Sequence, residues 1–345
     1  MSTPKKILIL RFSSLGDVIM TTAMIRCLRT AYPGARIDMI VRQDFLDLIQ
    51  FNPHLSHAWG LPRQSGVRGL LRLLRDINAV GYDMVYDAHR SLRTRLLLPW
   101  IRAGKKARFD KQYLRRALLM TFKLPLVSER RFLERFVDPL HRWGVRYDGG
   151  GPEVHIDSGS EASALAKCGL VADGRPRIGI VPSAQWDGKR WPAERFREVI
   201  QKLLVHTGDQ ILVFGGPQDT FCTSICEGLD AQRVINTQGR LSLLESGALL
   251  RVCSMVIAND TGLMHLADAL GVPSVLIFGP TSAEMGCLPF HPQSRIVENK
   301  LWCRPCSKNG QAPCIRSRRW CLELTTADRV LSEALALREC RGKTA

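Results

Sequence analysis

A chain of 345 residues with 45% hydrophobic content exceeds one ordinary core and suffices for two domains of normal size. No window approaches the roughly 18 uninterrupted apolar residues of a membrane span, and the opening MSTPKK leads into a strand-like segment with no cleavage site behind it, so a cytoplasmic location is expected. Eleven cysteines read here mostly as reduced thiols, while the net charge of +17 points to polyanionic partners such as nucleic acid, an anionic membrane surface or a phosphorylated substrate.

The N-terminal half alternates strand and helix patterns. KKILILR is a buried strand, DVIMTTAMIRCLRTAY a helix and RIDMIVR the next strand, together one βαβ unit. GVRGLLRLLRDINAVG is then a helix and YDMVYDAH a strand, continuing a parallel doubly wound pattern. From Arg90 to Arg135 the chain holds 14 Lys or Arg against 3 Asp or Glu; this is either an anion-attracting surface or a plain solvated face. Glycine and proline interrupt all periodicity at Asp148–Ser160, the expected linker. Alternation then restarts with strands RIGIV, QILVFGG, RVIN, MVIAND and PSVLIFG separated by helical stretches. A last helix, TADRVLSEALALREC, could pack back across the first domain. The expected division is 1–155 and 156–345, two Rossmann-like domains whose carboxyl-end loops face a shared cleft.

Candidate chemistry lies in the loops after strands. In ANDTGLMHLADALGVP, Asp260 and Thr261 occupy a turn before a helix beginning near Gly262. Backbone N–H groups and the positive helix end would cradle phosphate there, Thr261 adding a hydroxyl and Asp260 accepting from a sugar; ordinary helix capping uses the same residues. His265 is either a ligand contact or a packed histidine. In VPSAQWDGKRWPAERF, Ser183, Ala184 and Gln185 follow a strand and Lys189 could neutralise a diphosphate, although a lone lysine is by default solvated. FGGPQD offers Gly215 and Gly216 for backbone access, with Gln218 or Asp219 for a ribose, as a weaker signal. The dinucleotide and P-loop glycine signatures are absent. Asp17, the one acid in RFSSLGDVIMTT, stands at a helix start, where a carboxylate is kept ionised and can accept a proton, or simply compensates the dipole.

Four segments, KKILILRFSSLGDVIMTTAMIRCLRTAYPGARIDMIV, PSAQWDGKRWPAERF, NDTGLMHLADALGVPSVLIFGPTS and the tail from CRPCSKNGQAPC to CLELTTADRV, together resemble the ADP-heptose:lipopolysaccharide heptosyltransferases of glycosyltransferase family nine, the tail leaning to the heptosyltransferase II type. The resemblance implies a GT-B architecture with the acceptor on the first domain and ADP-heptose on the second. It also implies an inverting, metal-independent displacement with no cofactor. Carried over by motif position, Asp17 is the general base and Lys189 contacts the donor diphosphate. Ser183, Ala184, Asp260, Thr261, Gly262 and His265 surround the donor, and Ser13, Ser14 and Gly16 are expected beside the acceptor. The implied acceptor is the anionic lipopolysaccharide inner core, lipid A–Kdo or its heptosylated form, reached by peripheral contact with the inner membrane. A sugar-nucleotide epimerase of the same plan is the nearer alternative. A basic nucleic-acid-binding module is the more distant one, since few aromatics interleave with the basic run. Cys303, Cys306, Cys314 and Cys321, spaced C-x₂-C-x₇-C-x₆-C, could form a structural zinc site, stay free or pair as a disulfide.

Overall fold

The computed structural model describes residues 3–124, 132–285 and 287–342, so positions 125–131 of the basic segment lie outside it. Contacts divide the chain into two compact units, one reaching to Lys111 and including the segment that ends at His155, the other beginning again at Ile156. The second unit also takes in the stretch from Gln112, so one helix of the basic segment groups with it rather than with the flanking sequence.

The first unit contains β1 (Lys6–Leu10), α1 (Leu15–Ala31), β2 (Arg36–Arg42), β3 (His57–Leu61), α2 (Val67–Val80), β4 (Met84–Asp87), α3 (Leu92–Leu97) and β5 (Lys105–Arg108); α4 (Tyr113–Phe122) belongs to the other unit, and α5 (Phe132–Val137) returns to this one. Its parallel sheet has the order β3-β2-β1-β4-β5 among the described residues. Central strands covered on both faces must be apolar throughout, which is why ILIL and MVY read as runs rather than alternations. Leu8, Leu10, Ile40 and Val85 pack with Leu73 and Ile77 of α2 and Leu97 and Ile101 at α3. On α5, Phe132 and Phe136 pack with Phe109 in one aromatic cluster, and α5 lies against α1.

The second unit continues with α6 (Ser158–Cys168), β6 (Arg177–Val181), α7 (Ala193–His206), β7 (Gln210–Val213), α8 (Phe221–Cys226), β8 (Val234–Asn236), α9 (Leu243–Arg251), β9 (Met255–Asn259), α10 (Gly262–Ala269), β10 (Ser274–Ile277), β11 (Arg295–Val297), α11 (Trp320–Glu323) and α12 (Ala327–Gly342). Its parallel sheet runs β11-β10-β9-β6-β7-β8. The last helix packs on this sheet: Val330, Ala334 and Leu337 of α12 join Phe196 and Leu203 of α7 over Ile178 and Ile180. The expected linker is shorter than its glycines suggest, because Asp157 caps α6 through Ser160 N–H at 2.9 Å. No helix among the described residues is long and apolar enough to cross a membrane.

Both strand orders reverse direction once. In the first unit the reversal falls between β1 and β4, in the second between β6 and β9. The loops leaving these strands therefore diverge and leave a crevice at the carboxyl edge of each sheet, the place where open α/β sheets take ligands.

Candidate active site

In the first unit the β1–α1 turn carries Asp17 at the third residue of α1, with Ser14 as the helix cap. One oxygen of Asp17, Oδ2, accepts from Ser14 Oγ at 2.8 Å and Ser14 N–H at 3.2 Å, and it meets the Arg11 guanidinium at 2.5 Å. Arg11 is itself buried and also donates to Ala88 O at 2.5 Å. Burial alone would raise the Asp17 carboxyl, but the Arg11 charge and the Ser14 hydrogen bonds outweigh it and hold the group at about 2. Asp17 is therefore ionised at any physiological pH, and 28% of its side chain remains exposed to receive a proton. Gly16 is buried in the same turn, while Ser13 is half-buried and Ser14 exposed.

The second loop at this switch point follows β4. Asp87 turns it by accepting from His89 N–H at 3.0 Å and Arg90 N–H at 2.7 Å. His89 Nδ1 accepts from Phe12 N–H at 3.3 Å, which leaves the proton of the neutral ring on Nε2. Burial, then the nearby charges of Arg11 and Lys111, pull the imidazole down to about 3. His89 is thus a neutral donor beside Asp17 rather than a competing base.

The second unit builds its site from the β6–α7 and β9–α10 loops. Asn259, fully buried at the end of β9, donates through Nδ2 to Pro182 O at 2.7 Å and accepts at Oδ1 from Trp191 N–H at 3.1 Å, fastening both ends of the β6–α7 loop. Lys189, in the short turn Asp187–Lys189, is thereby held with Nζ 2.6 Å from Asp260 Oδ2. Thr281 Oγ1 donates to the same oxygen at 2.9 Å. Burial raises the Asp260 carboxyl, and the charges of Lys189 and His265 more than reverse it, so the net shift is downward. Thr261 caps α10 in extended geometry without a side-chain capping bond, and Gly262 opens the helix. A cation and a helix N-terminus at one switch point are the elements of an anion site.

The structure thus joins Lys189 to Asp260 beside Thr261 and Gly262, with His265 buried one turn into the helix. Ser183 and Ala184 are buried where the loop leaves β6, and Ala184 O accepts from Arg190 Nε at 2.8 Å. Asp219 is less available to a ribose than the sequence suggests, because its Oδ2 accepts from Gly216 N–H at 2.8 Å. Sequence reasoning assigned no role to Arg11, His89, Thr281 or Arg304.

Arg304 explains the order of the cysteine-rich tail. Its buried guanidinium donates to Gly279 O and Thr281 O, each at 2.6 Å, and to Glu298 at 2.8 Å, while Lys123 Nζ donates to Cys303 O at 3.0 Å and Pro305 O at 2.8 Å. Cys303, Cys306, Cys314 and Cys321 are free thiols, and no three or more His, Cys, Asp or Glu among the described residues are grouped to hold a metal. The tail also presses on the lysine loop. A Cβ on Gly188 would stand 2.3 Å from Gly310 O, and Gly310, at φ +80°, lies against the Lys189 stem. Gly188→Ala should therefore cost about 1–3 kcal/mol, since backbone rather than a flexible side chain must yield. A melting temperature equal to that of the parent would show that the tail does not brace this loop.

Two parallel α/β units, each with candidate chemistry at its switch point, define the GT-B class of fold. The family profile of glycosyltransferase family 9 (heptosyltransferase) matches residues 70–313, and the chain belongs to that family. It is 25% identical over 316 residues to lipopolysaccharide heptosyltransferase 2 of Salmonella typhimurium, covering 85% of this chain and 87% of the relative. The fold is shared with a family 9 glycosyltransferase from Veillonella parvula, at a TM-score of 0.81 and 23% identity over 96% of this chain and 97% of that one. It is also shared with E. coli ADP-heptose lipopolysaccharide heptosyltransferase II, at a TM-score of 0.76 and 22% identity over 96% and 98% of the two chains.

Proposed function

We propose that the protein transfers heptose from ADP-L-glycero-D-manno-heptose to the inner core of lipopolysaccharide at the cytoplasmic face of the inner membrane, by a single inverting displacement that needs no metal. The observation that carries this reading is the Lys189–Asp260 pair set beside the start of α10 in a family 9 fold. In this reading residues 156–345 hold the donor and residues 1–155 the acceptor. The ADP diphosphate takes up Lys189 and the N–H groups at Gly262, with Ser183 and Ala184 lining its phosphates and Asp260 and His265 close by. Ser13, Ser14 and Gly16 frame the acceptor hydroxyl.

The acceptor oxygen attacks the anomeric carbon from the side opposite ADP, its proton passes to Asp17, and the anomeric C–O bond breaks with its electron pair leaving on the diphosphate. Lys189 and the helix N-terminus offset the charge that develops there. Family membership supports this over the epimerase alternative, because an epimerase transfers nothing and needs no acceptor. The test offers ADP-heptose with lipid A–Kdo and, separately, with the heptosylated core, in excess EDTA, followed by mass spectrometry and anomeric NMR of the product. One added heptose with inverted configuration is expected. Conversion of the nucleotide sugar without acceptor, retention of configuration, or activity that requires added Mg²⁺ would overturn the corresponding part of the reading.

A further inference from the structure

The outer side of α3 carries large apolar groups where a solvated helix would carry polar ones. Its inner side is occupied by Thr94, Leu97 and Leu98, the leucines packing into the core with Ile101. Leu92, Leu96 and Trp100 are nevertheless 74%, 61% and 71% exposed. They fall at four-residue steps, and the helical path continues past the end of α3, where the N–H groups of Trp100 and Ile101 both donate to Leu97 O at 3.0 and 3.3 Å. The three therefore stand in one row of about 12 Å. Neighbouring α2 packs on the same side of the sheet and is tied to this segment by Asn78, whose Nδ2 donates to Trp100 O at 3.0 Å and whose Oδ1 accepts from Arg102 N–H at 2.8 Å.

The exposed charges of α2, α3 and the turn after it are cationic: Arg68 and Arg72 on α2, Arg93 and Arg95 on α3, and Arg102 beyond it. The acids of the same stretch are engaged. Asp76 pairs with Arg75, Asp83 accepts the N–H groups of Lys5 and Lys6, and Asp87 is buried under the β4 loop.

We propose that this face docks on an anionic phospholipid bilayer, with Leu92, Leu96 and Trp100 entering the headgroup region and the flanking arginines meeting lipid phosphates. Apolar residues with an indole among cations are the composition of an interfacial helix. A second copy of the chain would set arginine against arginine, and a nucleic acid would leave the two leucines without a stacking partner. Since α3 begins just after His89, docking brings the Asp17 end of the first unit towards the headgroups and gives the proposed lipid-borne acceptor a route to it. The inference rests on the proposed function for that route alone; lipid binding is measured without transfer, so either can fail while the other stands.

The experiment is co-sedimentation of the full chain with vesicles of phosphatidylethanolamine and phosphatidylglycerol, and with vesicles of phosphatidylcholine. The variants are Leu92→Ser/Leu96→Ser/Trp100→Ser and Arg93→Gln/Arg95→Gln, all at exposed positions, with circular dichroism and melting as controls. The parent should bind the anionic vesicles and leave the neutral ones, and each variant should bind at least about tenfold more weakly at unchanged melting temperature. A Trp100→Phe variant should also lose part of the fluorescence blue shift that anionic vesicles produce in the parent. The proposal is overturned if the parent does not bind anionic vesicles, if it binds neutral ones equally, or if the triple variant binds like the parent. A parent dimer that the triple variant dissolves, with no difference in vesicle binding, would assign the face to self-association instead.

Discussion

Asp17→Asn should fold and bind ADP like the parent, melting earlier because the buried Arg11 loses its counter-charge, and should lower kcat by about 10² to 10⁴, the usual contribution of a positioned general base. The amide preserves the shape of the helix start and can still accept from Ser14, but it cannot take the acceptor's proton. A carboxylate held at about 2 is a weak base towards a sugar hydroxyl in its ground state. In the proposed displacement it would suffice because the attacking oxygen becomes strongly acidic as it bonds to the electron-poor anomeric carbon, which would place proton transfer late in the step. Lowered pKa means that Asp17 stays in its basic form down to low pH, and the rate profile of the parent should show no limb from this group between pH 5 and 8. Arg11→Gln removes the charge that opposes burial, so the Asp17 pKa should rise and an acidic limb should move upward towards the working range. Saturated transfer rates over that pH span check both statements. A kcat for Asp17→Asn within a few-fold of the parent would reduce the residue to a helix-end charge.

The central strands and the residues that follow them were legible because burial on both faces forces apolar runs, and the change from run to loop marks where a sheet presents its edge. Asp17, Lys189 and Asp260 were singled out as candidates in this way. The edge strands β3, β5 and β11 were not legible, although the edge strand β8 was, as RVIN. β5 is KKAR, and β3, HAWGL, is mostly half-buried; an edge strand needs little apolar periodicity, and lysine there discourages further pairing. Arg11 was missed because a single arginine is by default exposed, and nothing local says that its guanidinium turns inward to the carboxylate six residues later. Thr281 and Arg304 were missed for a related reason. Their partners lie at the end of a neighbouring strand, and the strand order β11-β10-β9 brings them together. The cysteine spacing drew attention to the tail, whereas the bonds that tie it down come from an arginine and a lysine whose acceptors are main-chain carbonyls.

Lys189→Ala should weaken ADP by about 10- to 150-fold, the equivalent of the roughly 1.5 to 3 kcal/mol carried by a charge-assisted contact, and should slow transfer as well. The structure adds a second consequence. Lys189 neutralises Asp260, which is buried and keeps Thr281 and His265 near it once the ammonium is gone. Removing one partner of a buried pair costs about 3–5 kcal/mol when the other is left charged, so the single variant should also melt earlier. The two effects separate in the double variant Lys189→Ala/Asp260→Asn. Without the carboxylate there is no stranded charge, and the melting temperature should recover most of the way to that of the parent. ADP affinity should stay low, because the cation proposed to face the diphosphate is still missing. Calorimetric titration with ADP and thermal unfolding of the parent, both single variants and the double variant close the cycle. If ADP affinity recovers together with stability, Lys189 acts only by holding Asp260 and the β6–α7 loop in place; if Lys189→Ala binds ADP like the parent, the diphosphate lies elsewhere in the second unit.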